Sequence, residues 1–178
     1  MAIWLNNDIV LDSLSRASIE DYMEVYQHPS MLFSISKSQV PIDAAHAQQE
    51  ISKLQGMDHQ GIGLYFGIFH HDKFIGSCGL HSYRGKDRCI EVSYEVHPNY
   101  WGQGIATKAL KKSILIARER FDVRFVFAYT LLENVPSHRV AEKAGMHAYS
   151  IVKHDIYFND RWVDRKIYMW DYESQDTP

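Results

Sequence analysis

The period of the hydrophobic positions changes along the chain, and each change marks an element. Ile9, Val10 and Leu11 form a short apolar run within residues 3–14, which predicts a first strand. The period then lengthens. Ile19, Tyr22, Met23 and Tyr26 recur at helical spacing behind Ser18, whose hydroxyl can cap a helix, and His28-Pro29 ends that helix. Residues 30–41 read as loop. Asp43 opens a second amphipathic helix with Ala44, Ala47, Ile51 and Leu54 in its stripe and Gly56 as its expected stop. From residue 64 the pattern becomes strand-like: 64–69 and 74–80 joined at His71-Asp72-Lys73, then a second turn over 84–88. Residues 89–96 alternate cleanly, with Ile90, Val92, Tyr94 and Val96 on one face and Glu91, Ser93 and Glu95 on the other. A long helix then runs to about Arg120 on a stripe of Ala106, Leu110, Ile114, Ala117 and Phe121. Next come a strand over 124–130, a short helix over 135–144 stopped by Gly145, and two closing strands around 149–156 and 162–169 that form a hairpin through Asn159-Asp160. The predicted class is α/β, a mixed and mostly antiparallel sheet flanked by helices. A single domain is expected over residues 1–172, with a polar tail over 173–178.

Composition narrows the function more than the fold. A chain of 178 residues, 46% hydrophobic and 23% charged, suffices for one sizeable core. The net charge of -3 argues against nucleic-acid binding, which needs a surplus of Lys and Arg on one face. No apolar run reaches the ~20 residues of a membrane span. The start, MAIWLNNDIV, lacks a basic n-region, so a soluble cytoplasmic protein is expected. Cys78 and Cys89 sit in apolar strand-like stretches and read as buried reduced thiols. The histidines are scattered. The adjacent pair His70-His71 falls at a turn, where strand neighbours would point to opposite faces, so no metal site is expected.

Gly102-Gln103-Gly104-Ile105-Ala106 lies between a strand and a helix. Amides at a helix start lack intrahelical partners, and small residues let a diphosphate approach them, with Thr107 adding a hydroxyl in the first turn. A dinucleotide-binding turn is excluded because its third glycine and its distal acidic residue are missing. A nucleotide P-loop is excluded because no Gly-Lys-Ser/Thr follows.

Residues 90–107, IEVSYEVHPNYWGQGIAT, and residues 133–146, ENVPSHRVAEKAGM, together resemble the two signature segments of the GNAT N-acetyltransferases, in order and spacing. The Trp-Gly-x-Gly-x-Ala form with Asn-x-x-Ser is most similar to the branch of Rim-type ribosomal-protein N-terminal acetyltransferases. The resemblance implies a GNAT fold whose central strands splay, with acetyl-CoA as cofactor in the gap. It implies that the Val96 amide polarises the thioester and that Gly102, Gln103, Gly104, Ile105, Ala106 and Thr107 hold the diphosphate. Asn134 would bind the pantetheine arm, and Ser137 would hold or relay a proton to the sulfur. Trp101 stands where most of the family has Arg or Gln. Ala141 stands where many members carry an acidic tyrosine, and Met146 replaces an aromatic.

The resemblance favours Glu91 as the base, since its position, two before Ser93, is similar to the family's strand glutamate, and leaves Glu95, nearer Val96, as the open alternative. Glu20, Asp21, Glu24 and Asp43 are either cleft lining for a cation or solvated helix faces. An α-amine, with a pKa of ~7.7–8.0 against ~10.4 for lysine, suits a weak water-relayed base, so the expected acceptor is a protein or peptide N-terminus. Small-molecule amines such as polyamines or antibiotics are the alternative acceptors. A non-catalytic acetyl-CoA sensor and a purely structural interaction module are the readings from other classes. The sequence sets no oligomeric state, and a homodimer is compatible with it.

Overall fold

The computed structural model describes residues 2–175. Its strands are β1 (Ile3–Trp4), β2 (Ile9–Ser13), β3 (Leu64–His70), β4 (Lys73–Arg84), β5 (Cys89–Val96), β6 (Phe125–Leu131), β7 (His147–Phe158) and β8 (Arg161–Asp171). Its helices are α1 (Ile19–Tyr26), α2 (Ala44–His59), α3 (Ile105–Phe121), α4 (Val135–Ala144) and the single turn α5 (Tyr172–Gln175). The eight strands form one sheet in the order β1-β2-β3-β4-β5-β6-β8-β7. Every pairing is antiparallel except β5 with β6.

The alternation in β5 divides the molecule. Ile90, Val92 and Val96 are buried on one face beside Leu110, Ile114 and Ala117 of α3. Glu91, Ser93 and Glu95 take the other face, in register with His81, Gly79 and Ser77 of β4. That face lies under α1 and α2, where Tyr22, Val25, Ala47 and Ile51 pack with Phe69 and Phe74. Ser18 and Asp43 cap the two helices by accepting from Asp21 N and His46 N.

Several boundaries differ from expectation for local reasons. Gly56 lies inside α2, which runs on to His59. The stop is Gly61, whose φ of +68° takes the left-handed turn that a helix end requires. Residues 30–41 hold two short 3-10 turns, Pro29–Phe33 and Lys37–Gln39, each started by a side-chain cap, His28 or Ser36. In α3 the buried stripe runs through Ala109, Leu110, Ser113, Ile114, Ile116 and Ala117, with Ala106 and Phe121 at its margins. The His70 and His71 rings lie 4.5 Å apart because His71, at φ 53°, has left the strand conformation. Of the expected tail, Glu173 is held by Arg124 at 2.7 Å, and positions 176–178 lie outside the described residues. Both cysteines are buried and free. No described helix is long and apolar enough to cross a membrane.

Candidate active site

Among the described residues, β5 pairs with β6 only at Cys89–Phe125, Ile90–Val126 and Glu91–Phe127. Beyond Glu91 the two parallel strands separate, while β5 stays paired with β4 as far as Gly76–Val96. Gly76 makes this possible: a Cβ there would stand 2.1 Å from the Glu95 carbonyl oxygen. His97 N donates to Ile75 O at 2.7 Å, so Gly76–Val96 is a non-hydrogen-bonded pair. The Val96 N–H therefore points away from β4, into the gap. The Val96 carbonyl, on the same side, accepts from Trp101 Nε1 at 2.6 Å. Trp101 thus ties the end of β5 to the glycine turn.

That turn is open. Gly102 and Gly104 have φ of +76° and +74°, and a Cβ on either would meet nothing within 4 Å. No side chain caps α3, and its first backbone bond runs from Lys108 N to Gly104 O. Among the described residues, the N–H groups from Gly102 to Thr107 therefore have no partner, on the most electropositive end of a 17-residue helix. An accessible row of unpaired amides fits an anionic diphosphate. On α4, Asn134 Oδ1 accepts from Ser137 N at 3.1 Å, which leaves its Nδ2 for a pantetheine carbonyl.

The two candidate glutamates occupy different settings. Glu91 lies at the last residue where β5 and β6 still pair, and Arg84 Nη1 donates to its Oε1 at 3.3 Å. Glu95 lies in the splayed stretch, one residue before Val96. Burial pushes its carboxyl up to about 7, with the hydrogen bond from Ser77 Oγ, at 3.3 Å, pulling the other way. Ser77 Oγ lies 2.8 Å from the Tyr26 hydroxyl, so a chain Tyr26–Ser77–Glu95 runs from α1 through β4 to β5. Tyr65 lies across Gly79, where a Cβ would stand 2.2 Å from its ring, and reaches Ser93 Oγ at 3.3 Å. Ser137 is on the opposite face, its Oγ 2.9 Å from the Tyr94 hydroxyl. The α4 position Ala141 is fully buried in the core.

The acidic residues of the first helices have local partners or capping positions. Glu24 pairs with Lys73 at 2.8 Å, Asp43 caps α2, and Glu20 and Asp21 form the first turn of α1. Sequence reasoning missed Gly76, Ser77, Tyr26 and the indole bond of Trp101. Of these, only Ser77, the register neighbour of Glu95 on an adjacent predicted strand, left a usable trace. No group of three or more His, Cys, Asp or Glu able to hold a metal ion occurs among the described residues.

Comparison with known proteins places these features in context. A family model described as "Acetyltransferase (GNAT) domain" matches residues 8–147. The Bacillus subtilis (strain 168) protein "Uncharacterized N-acetyltransferase YoaA" is 25% identical over 126 residues, 68% of this chain and 71% of its own length. Alignments to four further Bacillus N-acetyltransferases span 56% to 72% of their lengths. In structure, the chain is similar to RimL, a ribosomal L7/L12 alpha-N-protein acetyltransferase solved with coenzyme A (TM-score 0.86, 16% identity, 96% of this chain and 98% of that one). It is also similar to the microcin C7 self-immunity acetyltransferase MccE, solved with acetyl-CoA and AMP (TM-score 0.84, 18% identity, 94% of each chain).

Proposed function

The chain belongs to the GNAT acetyltransferase family, and we propose that it moves an acetyl group from acetyl-CoA to the N-terminal α-amine of a protein or peptide. The observation that carries this reading is Glu95, a carboxyl raised to about 7 beside the free Val96 amide at the mouth of the splay. Proton transfer from an α-ammonium of pKa ~7.7–8.0 to such a base is uphill by about one pK unit, or ~1.4 kcal/mol. From a lysine ammonium at ~10.4 the same step costs more than three units, roughly 4.6 kcal/mol. Glu95 is matched to the first acceptor and poorly matched to the second. Glu91 is the weaker candidate because Arg84 holds its carboxylate where the strands are still paired.

The residues divide the work by face. Glu95, held by Ser77 and Tyr26, takes the proton from the amine on the α1/α2 side. The Val96 N–H points into the gap, where it can donate to a developing oxyanion. Gly102, Gln103, Gly104, Ile105, Ala106 and Thr107 offer their amides to a diphosphate, and Asn134 offers its amide nitrogen to the pantetheine arm. Ser137, on the α3/α4 side, donates a hydrogen bond to the leaving sulfur. Acetyl-CoA, when bound, supplies the thioester carbonyl that is attacked and the thiolate that departs. A cytoplasmic setting is part of the same proposal. The structural neighbour named as an alpha-N-protein acetyltransferase supports the choice of acceptor class.

The test is free-thiol release with acetyl-CoA across peptides of varied N-terminus, polyamines and aminoglycosides. Peptides should turn over, and prior blocking of their α-amines should abolish release even when lysines are present. Turnover confined to polyamines or aminoglycosides would reassign the acceptor. Thermal stabilisation by coenzyme A without turnover on any amine would favour a sensor.

A further inference from the structure

The proposed reaction leaves one gap in the machinery. Ser137 is the group assigned to the sulfur, a serine hydroxyl is a weak donor, and Ala141 supplies no phenol from α4. Resting on the reading of Ser137 as the sulfur's partner, we infer that Tyr94 of β5 is a positioning residue that turns the Ser137 hydroxyl into an effective donor to the departing thiolate.

The geometry is specific. Tyr94 lies in the stretch of β5 that has separated from β6, on the same face as Val92 and Val96. Its ring bridges the strand to the first turn of α4. Its hydroxyl lies 3.1 Å from the Ser137 carbonyl oxygen and 2.9 Å from Ser137 Oγ. A phenol carries one hydrogen, so two arrangements are possible. In the first, Tyr94 donates to the carbonyl and Ser137 donates to Tyr94, which turns the serine hydrogen away from the gap. In the second, Tyr94 donates to Ser137 Oγ, and the serine hydrogen is free for an acceptor in the gap. Rotation about the phenolic C–O bond, together with a turn of the serine hydroxyl, exchanges the two. A thiolate forming near Ser137 favours the second, and the bond that Ser137 accepts strengthens the bond it donates.

Tyr94 is not an acid in this scheme. Burial raises its phenol to about 12, against a smaller opposing effect of the Ser137 hydrogen bond, so it keeps its proton. No bond to Tyr94 is made or broken, and the thiolate is stabilised by two linked hydrogen bonds until solvent protonates it. Tyr94 restores from a strand the phenol that α4 lacks, but one step removed from the sulfur.

The test compares Tyr94→Phe, Ser137→Ala and the double variant. One readout is single-turnover acetyl transfer. The second, independent of turnover, is the pKa of the coenzyme A thiol in the binary complex, followed by ultraviolet thiolate absorbance. Binding of desulfo-coenzyme A and thermal melting check that site and fold persist. Tyr94→Phe should slow single turnover about tenfold, the worth of one hydrogen bond to a charged system. It should raise the bound-thiol pKa by about one unit and add nothing in the Ser137→Ala background. A wild-type thiol pKa in Tyr94→Phe beside a raised one in Ser137→Ala overturns the inference and leaves Ser137 in place. An undiminished Tyr94→Phe effect in the Ser137→Ala background also overturns it, because Tyr94 would then act on its own. Thiol pKa values unchanged in both single variants overturn the assignment of Ser137 together with it.

Discussion

The two faces of the sheet meet at Val96 and are built in opposite ways. On the α3/α4 side the groups that would face the cofactor come from short continuous stretches: the backbone amides of 102–107 and the Asn134 and Ser137 side chains at the start of α4. On the α1/α2 side the groups are side chains gathered from distant parts of the chain. Tyr26 and Ser77 are 51 residues apart, and Ser77 and Glu95 are 18 apart. The β7–β8 hairpin reaches back to Lys37 across 122 residues. A cofactor common to many acceptors calls for a fixed, local binding turn. An acceptor calls for a surface that can vary, and side chains on separate elements vary independently.

The largest effect is expected where this contrast is sharpest, at the base. Glu95→Gln should lower single-turnover acetyl transfer by roughly a hundred- to ten-thousandfold, the usual worth of general base catalysis. Coenzyme A affinity should hold, and Glu91→Gln should stay near wild type. In the wild type, kcat/KM should fall as pH drops through about 7, where Glu95 gains its proton. Stability runs the other way. Glu95 binds its proton more tightly in the fold than in the unfolded chain, so its contribution is full below the ordinary carboxylate range and is lost as pH rises through about 7. Glu95→Gln should therefore melt higher than wild type near pH 8, with the difference closing on acidification. A reversed pattern, Glu91→Gln inactive and Glu95→Gln active, would return the role to Glu91.

On the cofactor side, Gly104→Val should weaken coenzyme A binding on the order of a hundredfold. A β-branched residue is strained at a φ of +74°, and its side chain would stand in the open approach to the amides. Titration calorimetry giving equal affinities for variant and wild type would remove the diphosphate from this turn. Ser137→Ala should follow, slowing the chemical step about ten- to a hundredfold, the range for one hydrogen bond to a charged group, with cofactor affinity retained. A wild-type single-turnover rate would leave Ser137 as an ordinary first-turn residue.

The same contrast explains what could be read from the sequence. The glycine turn, the α4 boundaries at Asn134 and Gly145, and the Asn159-Asp160 turn all depend on neighbours within a few residues, and all three could be placed beforehand. The alternation of β5 set Glu91 and Glu95 on one face, but it could not separate them, since both are odd-numbered positions of one strand. What distinguishes them is where β6 stops pairing and which cation reaches which carboxylate. Those facts belong to the register between strands and to Arg84 at the far side of a turn. Gly56 misled because a helix interior tolerates a glycine at a cost of about 1 kcal/mol, while the true stop came five residues later at Gly61.

The smallest effect is expected at the contact that would close the proposed acceptor side. The β7–β8 tip lies at the splayed end, since β8 enters alongside the last residues of β6, with Arg165 opposite Leu131. There Asn159 Oδ1 accepts from Lys37 N at 2.8 Å, its Nδ2 donates to Leu32 O at 3.2 Å, and Lys37 Nζ meets Asp160 at 2.7 Å. Because α1 packs on β4 while the hairpin lies beyond β6, these bonds would span the gap on the proposed acceptor side. The Lys37–Asp160 pair is exposed, with side-chain accessibilities of 60% and 78%, so it contributes little and is screened by salt. Asn159 matters more because it joins two backbones, and its loss leaves both without that tie. Asn159→Ala should raise KM for a peptide acceptor by about two- to tenfold, in line with one or two ordinary hydrogen bonds, with kcat and coenzyme A affinity little changed. Lys37→Ala should act in the same direction, more weakly, and only at low ionic strength. Steady-state kinetics with one peptide at two salt concentrations reads both. An unchanged KM in Asn159→Ala would mean that the hairpin bridge braces the fold without forming a wall of the acceptor site, which would then end at Tyr65 and Ser93.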